Sequence, residues 1–339
     1  MDVKISIITP SFNQSDFIEQ TIDSVLSQGF KNLEYIIIDG GSTDGSVDII
    51  KRYEKHLTFW LSEPDRGQSH AIRKGLQRAT GTAVNWLNSD DYLEPGALKL
   101  IGEHFSDSSV NVLCGRGNIV SGGGVIKTSR GTDTYDDNLA KTIGMARIDQ
   151  PETWFRKSIL DEIGGLDVGL HYVMDKDIWV RYLLKHGLKG IAKTPSLLAN
   201  FRLHQGSKTV AQASLFEPET IQLFVRMAMN NGFEESASKI ATLYPVPSVL
   251  VQGRKFPSFP PLVQRAFQYF LLHQADLEYY RRCYDKTRAI LGLIDESKLL
   301  ADDLKLVGKL RFRTRWPLTA LRDVLAASNA PDRTHSKTL

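Results

Sequence analysis

Residues 33–46 read LEYIIIDGGSTDGS. The apolar, β-branched run Leu33–Ile38 has the composition of a buried strand, and it ends on Asp39. Two glycines and a hydroxyl-rich turn follow, and a helix is predicted over 46–56. The glycines allow positive φ and close backbone approach, while the start of the following helix favours negative charge. The plainer reading is a strand-to-helix turn in which Asp44 or Ser46 caps the helix. Both readings require a strand–loop–helix unit.

That unit recurs outward in both directions. Val3–Thr9 predicts another buried strand, followed by an amphipathic helix over 16–28 with Ile18, Ile22, Val25 and Leu26 on one face. Thr58–Leu61 predicts a short strand, Gln68–Ala79 a helix and Thr82–Leu87 a further strand. Pro95 then opens a helix through Phe105. Strands alternating with helices predict an α/β fold with a parallel sheet covered on both faces. Ligands bind such sheets at the carboxyl ends of the strands. The loops to watch are therefore 10–13, 39–44 and 88–91. After Val110–Leu113, residues 115–131 predict a glycine-turned hairpin and 132–150 a loop-rich stretch. Short and longer helices are expected at 158–163 and 175–186. Residues 211–243 and 262–327 read as helices, joined by the proline-rich YPVPSVLVQGRKFPSFPP.

The stretch AVNWLNSDDY, 83–92, ends an apolar run with adjacent aspartates, Asp90 and Asp91. Side by side in one loop they repel each other, and the helix from Pro95 starts too far downstream for a comfortable cap. Hard cations such as Mg²⁺ or Mn²⁺ need few carboxylates when phosphates supply the other oxygens. A strand-end acid pair facing a loop that holds a nucleotide suits that need. No G-x-G-x-x-G follows the first strand, which disfavours a dinucleotide site. Arg66, in DRGQSHA, is a candidate for phosphate or base contact, or else a surface ion-pair residue.

Together SIITPSFNQ, IIIDGGSTDGS, RKGLQRATG and NSDD resemble family 2 glycosyltransferases with the GT-A fold, in order and with the right spacing over roughly 3–210. The resemblance implies a Rossmann-like mixed sheet, a nucleotide-sugar donor and a divalent metal, Mn²⁺ or Mg²⁺. It places Pro10, Ser11, Phe12, Asn13, Asp39, Gly41 and Ser42 around the donor, with Asn88, Ser89 and Asp91 beside them. The family's acidic motif is usually Asp-x-Asp. Here Asn88 holds its first position, so Asp90 becomes the principal metal ligand and Asp91 a supporting acid toward the ribose.

Displacement of a nucleoside diphosphate also needs a base on the opposite side of the sugar. Family members carry an acid ahead of a Trp-x-Arg helix, after a Gly-Gly-x-Asp element. Gly164-Gly165-Leu166-Asp167 and Asp175-Lys176-Asp177-Ile178-Trp179-Val180-Arg181 match, with Met174 where Glu is often seen. Asp175 is the base candidate, compatible with an N-cap role. Asp177, about 200° further round the helix, is its rival. By the same resemblance Glu152 and Trp154, in QPETWFR, line the acceptor site. The Arg-x-His-x-x-Ser element at Arg202–Ser207 makes His204 a metal or diphosphate ligand, with Lys208 a further phosphate-compatible donor.

The 339 residues, 42% hydrophobic and 24% charged, are those of a globular protein, and a formal charge of +3 does not by itself argue for nucleic acid. Cys114 and Cys283 have no metal spacing, which favours a reducing compartment. The N-terminus turns polar early and no run approaches a membrane span, so a cytoplasmic setting is expected. Residues 305–322 carry six basic and no acidic side chains among apolar ones. They are read either as a peripheral contact with the inner membrane face or as a helix packed on the body or on a second copy. The division expected is a catalytic domain at 1–210 (nucleotide-binding 1–105, acceptor 106–210) and a helical region at 211–339. The function implied is inverting, metal-dependent transfer to a saccharide or lipid-linked acceptor in bacterial surface polysaccharide or O-antigen assembly. The rivals are a nucleotidyltransferase, which should carry a basic glycine-rich loop where TPSFNQ stands, and a non-catalytic nucleotide-sugar-binding scaffold, hinted at by Asn88 and Met174.

Overall fold

The computed structural model describes residues 3–145, 147–244 and 255–315. In chain order the elements of the first half are β1 (Ile5–Ser11), α1 (Ile18–Leu26), β2 (Leu33–Asp39), α2 (Ser46–Arg52), β3 (Phe59–Ser62), α3 (Gln68–Arg78), β4 (Ala83–Trp86), β5 (Tyr92–Leu93) and α4 (Ala97–Phe105). Next come β6 (Val112–Ser121), β7 (Gly124–Thr128), α5 (Leu139–Met145), β8 (Thr153–Arg156), α6 (Lys157–Glu162), α7 (Met174–His186) and β9 (Ile191–Arg202). The described remainder is helical: α8 (Lys208–Ala211), α9 (Ala213–Met229), α10 (Glu234–Thr242), α11 (Pro260–Tyr280), α12 (Tyr284–Leu291) and α13 (Ala301–Arg313).

All strands join one sheet, ordered β3-β2-β1-β4-β8-β6-β9-β5, with β7 added to β6. β1 lies between β2 and β4, parallel to both, and every one of its residues is buried. That accounts for its uninterrupted apolar and hydroxyl run, since strands covered on both faces have no solvent side to alternate toward. The sheet then changes hand: β8 runs antiparallel to β4 and to β6, and β9 runs parallel to β6. Because β8 is reversed, its amino end meets the carboxyl end of β4, so residues 150–153 arrive at the edge where Asp90 lies.

Two apolar clusters fill the faces. One packs α1, α2 and α4 on the sheet through Ile18, Ile22, Ile50 and Leu98. The other begins at Ile8 and Trp86, passes through α6 and α7, and continues into α9–α13 as far as Leu310. The C-terminal helices therefore share a core with the half that carries α7. Gly144 of α5 shows how close that approach is, because a Cβ there would lie 2.3 Å from the Ala266 carbonyl oxygen of α11. Phe224 and Phe270 stack across α9 and α11 at 4.1 Å.

The basic stretch 305–322 is described only to residue 315. In that part Val307 and Leu310 are buried and Leu306 is partly so. Phe312 stands out, at 57% exposure. Helix packing has taken the apolar positions that a membrane contact would have used, and residues 316–322 lie outside the described residues. Among the described residues no helix is long and apolar enough to cross a membrane.

Candidate active site

The strand-end loops are tied to one another before any ligand is considered. The backbone N–H groups of Asn13, Gln14 and Ser15 donate to Ser42 Oγ (2.8 Å), Ser46 Oγ (2.8 Å) and Asp44 Oδ2 (2.9 Å). Asn13, held at φ +51°, accepts from Thr43 N in return. Asp39 is fully buried and accepts from Gly41 N, Ser42 N, Ser42 Oγ and Ser62 Oγ at 2.5–3.0 Å. Four nearby donors aim at its carboxylate, which shapes the loop from beneath. Gly41 and Ser42 supply three of those donors and Ser62 the fourth. At the surface of this loop system Phe12 is 59% exposed, its ring beside Gly40 and opposite Asp65. The Ser11 hydroxyl is buried with no hydrogen-bond partner among the described residues, as a group kept for a ligand would be. Pro10 is within buried β1, and Arg66 is exposed.

The adjacent aspartates separate. Asp90 Oδ2 is 3.0 Å from His204 Nε2, with both side chains about one-fifth exposed, at 18% and 20%. Phe17 backs the imidazole at 4.4 Å. Asp91 turns the other way and is fully buried, accepting from Arg202 N at 2.9 Å and from Asn88 Nδ2 at 3.1 Å. Burial, and then the charge of Asp90, push its carboxyl well above the usual range. Asp91 thus supports the turn from within the protein. Thr21 Oγ1 of α1 pins the turn by donating to the carbonyls of Ser89 and Asp91.

Among the described residues no three His, Cys, Asp or Glu side chains form a metal cluster. The Asp90–His204 pair nevertheless fits a hard cation whose other ligands come from a diphosphate. The pair is joined by a hydrogen bond at 3.0 Å, so both side chains turn their polar atoms to one point.

Asn88 is a relay. Lys208 Nζ donates to Gln68 Oε1 (2.7 Å), Gln68 Nε2 donates to Asn88 Oδ1 (2.7 Å), and Asn88 passes to Asp91. Lys208 also donates to the His171 carbonyl at 3.0 Å. The acid turn is thereby linked to the segment that leads into α7. Gln68 was missed from sequence because a single glutamine at a helix start carries no signal of its own.

Asp175 occupies the first turn of α7 and is partly buried. Its Oδ1 accepts from Lys176 N at 2.8 Å, and burial pushes the carboxyl up to about 6 against that hydrogen bond and the Lys176 charge. The segment before it is held from the C-terminal region. Glu219 of α9 accepts from the N–H groups of His171 (2.8 Å), Tyr172 (2.5 Å) and Val173 (2.8 Å). Asp177, the rival base, is fully buried; it accepts from Arg181 Nη2 at 2.5 Å and from Arg226 at 3.4 Å. Arg181 also donates to the Ile163 and Gly165 carbonyls, and Arg226 reaches Asp167. Asp177 is a structural ion-pair centre and has no access to an acceptor.

The two acceptor-side candidates are both buried. Trp154 is 1% exposed, on the face of β8 turned into the α1/α4 core, and offers no ring to a sugar. Glu152 is buried and accepts from Ser129 Oγ at 2.9 Å. Burial and the charge of Asp149 push it up to about 8. Its influence continues both ways: Asp175 feels Asp149, Asp149 is paired with Glu152, and Asp91 feels both Asp90 and Glu152. Carboxyl groups from three separate segments, 90–91, 149–152 and 175, therefore form one electrostatically connected row. Asp149 was missed because it lies in a stretch that reads as loop, and Ser129 because it closes the predicted hairpin without a signal of its own.

Residues 6–164 match the sequence profile of Glycosyl transferase family 2. That matched part, just under half of the chain, is a family 2 glycosyltransferase domain. It is 45% identical over 92 residues to the putative teichuronic acid biosynthesis glycosyltransferase TuaG of Bacillus subtilis, which covers 26% of this chain and 36% of TuaG. TarS of S. aureus (residues 1–349), solved in complex with UDP-GlcNAc, superposes with a TM-score of 0.60 at 17% identity, covering 96% of this chain and 92% of that one. The mannosyltransferase PcManGT of Pyrobaculum calidifontis, in complex with GDP-Man and Mn²⁺, gives 0.52 at 16% identity over 98% and 88%. The fold of the enzyme is GT-A with a C-terminal helical extension.

Proposed function

We propose that this glycosyltransferase moves a sugar from a nucleotide-sugar donor to a hydroxyl of a saccharide or lipid-linked acceptor by single displacement, in bacterial surface polysaccharide synthesis. The observation that carries the reading is the row of carboxyl groups from Asp90 to Asp175, with a histidine at one end and a partly exposed carboxyl tuned to about 6 at the other. Asp175 takes the acceptor's hydroxyl proton as its oxygen bonds to the anomeric carbon. The bond to the diphosphate breaks on the opposite face, the electron pair leaves with the nucleotide, and the configuration inverts. When bound between Asp90 and His204, a divalent cation such as Mn²⁺ or Mg²⁺ supplies neutralisation of the diphosphate charge. Phe12 offers an exposed ring for the base and the Ser11 hydroxyl an unclaimed donor. The buried relay from Asp91 to Lys208 holds the acid turn in place, with Lys208 facing the same region. The likeness to TuaG supports the polysaccharide setting, and the donors held by TarS and PcManGT support a nucleotide-sugar.

The test is a thermal-shift screen of nucleoside diphosphates and their sugars, with and without Mn²⁺. A matching donor at a hundred times its Kd should stabilise the fold by about 2.7 kcal/mol, read as a rise of a few degrees that grows with Mn²⁺. No response to any nucleotide overturns the proposal.

A further inference from the structure

The β6–β9 ladder is interrupted. Cys114 pairs with Lys193 and Arg116 with Leu197, so Gly115 alone on β6 faces Thr194, Pro195 and Ser196 on β9. Pro195 has no N–H to give to a ladder, and prolines within sheets gather at such bulges. The mismatch opens a cavity of about 200 Å³, walled on its third side by Arg130, Gly131 and Thr132. Gly131 stands at φ +84°, where a Cβ would lie 2.3 Å from the Gly115 carbonyl oxygen, so this wall is pressed against the strand. The loop is held from behind: Arg116 Nε donates to the Ser129 carbonyl at 3.0 Å and Arg147 to that of Gly131 at 2.9 Å.

Three of the lining side chains are cationic: Arg116, Arg130 and Lys193. Their local counter-charge is small. Lys193 meets Asp136 at 2.8 Å, but that carboxylate is 76% exposed and screened by water. Arg130 is exposed and makes no ion pair among the described residues. Behind the loop Glu152 is pushed up to about 8 by burial and by Asp149, so at neutral pH it carries a proton rather than a repelling charge. A larger hollow of about 430 Å³, by 79–82 and 156–161, differs in this respect. There Arg156 is committed to the Phe105, Asp107 and Val110 carbonyls, and Lys157 to Asp161. The size of the smaller cavity is informative too. It lies below the ~300 Å³ at which drug-sized pockets begin, too small for a nucleotide and suited to one charged group. Ser129, in the same loop, touches Glu152 and Asp149, which connects this wall to the catalytic row.

We propose that the cavity at the β6–β9 bulge is an acceptor subsite for an anionic group, a carboxylate or a phosphate, carried by the saccharide being extended. The assignment of this group to the acceptor rests on the glycosyl-transfer reading above. The two forked guanidinium groups suit the bidentate recognition that both oxyanions share.

The experiment is NMR or calorimetric titration of the full chain with methyl glucuronide, with inorganic phosphate and with neutral methyl glucoside. At least one anion should bind while methyl glucoside does not, and the tighter anion tells carboxylate from phosphate. Binding should weaken at least tenfold in the double variant Arg130→Gln/Lys193→Gln and persist in Arg130→Lys/Lys193→Arg. Protection of Lys193 from acetylation by the same anion gives a second readout in the unmodified chain. Absence of anion binding, or equal binding by both double variants, overturns the subsite. The nucleotide thermal shift should be the same in the double variants as in the parent chain. A parent chain that binds an anion but no nucleotide sinks the transfer reading and leaves the anion site standing.

Discussion

The turn at 88–91 and the first turn of α7 each present two aspartates, and in each the pair divides. Asp90 keeps a face to solvent beside His204, while Asp91 is sealed between Arg202 N and Asn88. Asp175 stays partly accessible, while Asp177 is locked between Arg181 and Arg226. One carboxylate of each pair is available for chemistry because the other holds its backbone still. The two regions differ in what does the holding. Asp91 is fixed mainly by neutral donors, whereas Asp177 is fixed by two buried cations, so removing the second partner should cost far more at α7 than at the acid turn.

The largest effect should come from Asp175→Asn. Transfer is expected to fall by roughly 10²–10⁴-fold, the usual contribution of a positioned base, with nucleotide binding by thermal shift retained. Its stability should move the other way. The folded-state pKa is raised to about 6, so the associated stability is present below the unfolded value near 4 and is lost as pH rises through 6. The asparagine variant escapes that loss and should be more stable than the parent at pH 8 by on the order of 1–3 kcal/mol. For the same reason, parent turnover should rise with pH through about 6. Unchanged turnover in the variant ends the assignment of the base.

Asp177→Asn should give the mirror image. Leaving Arg181 and Arg226 without their buried carboxylate should cost about 3–5 kcal/mol in chemical denaturation, while the folded fraction retains donor affinity. Loss of turnover per folded molecule, at unchanged stability, would exchange the roles of the two acids.

At the other turn the contrast should be read in metal affinity. Asp90→Asn is expected to weaken Mn²⁺-dependent donor binding by roughly tenfold or more. Asp91→Asn should leave it near the parent value and cost only about 1 kcal/mol of stability. Equal metal defects in both variants would show that Asp91 reaches the ligand after all.

The smallest effect concerns Glu152. With its carboxyl raised from 4.5 to about 8, the parent should lose stability progressively as pH rises from about 4.5 to about 8, and Glu152→Gln should flatten the profile over that window. A parallel profile in the variant would remove Glu152 from the row.

Much of this was legible in the chain. The β1–β4 half announces itself through apolar β-branched runs, glycine turns and helical periodicity, all local signals. The strand-end acids and the first turn of α7 could be placed for the same reason. The second half was harder. β5 has two residues, β8 has four, and β9 carries Pro195 within an irregular ladder, so none shows a clean period of two. Helix α5 hid in a stretch rich in threonine and aspartate. Trp154 read as a sugar platform because the residue type allows it, and only the register of β8 shows which way the ring faces.

The sequence by itself determined the alternation of strands and helices, the loops that gather at one sheet edge, and the residue types needed for nucleotide and base chemistry. These follow from backbone propensity and side-chain chemistry, which act over a few residues. Only the tertiary structure decided which member of each acid pair stays open. The deciding donors are Arg202 N on β9 and Arg226 on α9, and an aspartate's burial is set by partners that the fold brings from 49 to 111 positions away.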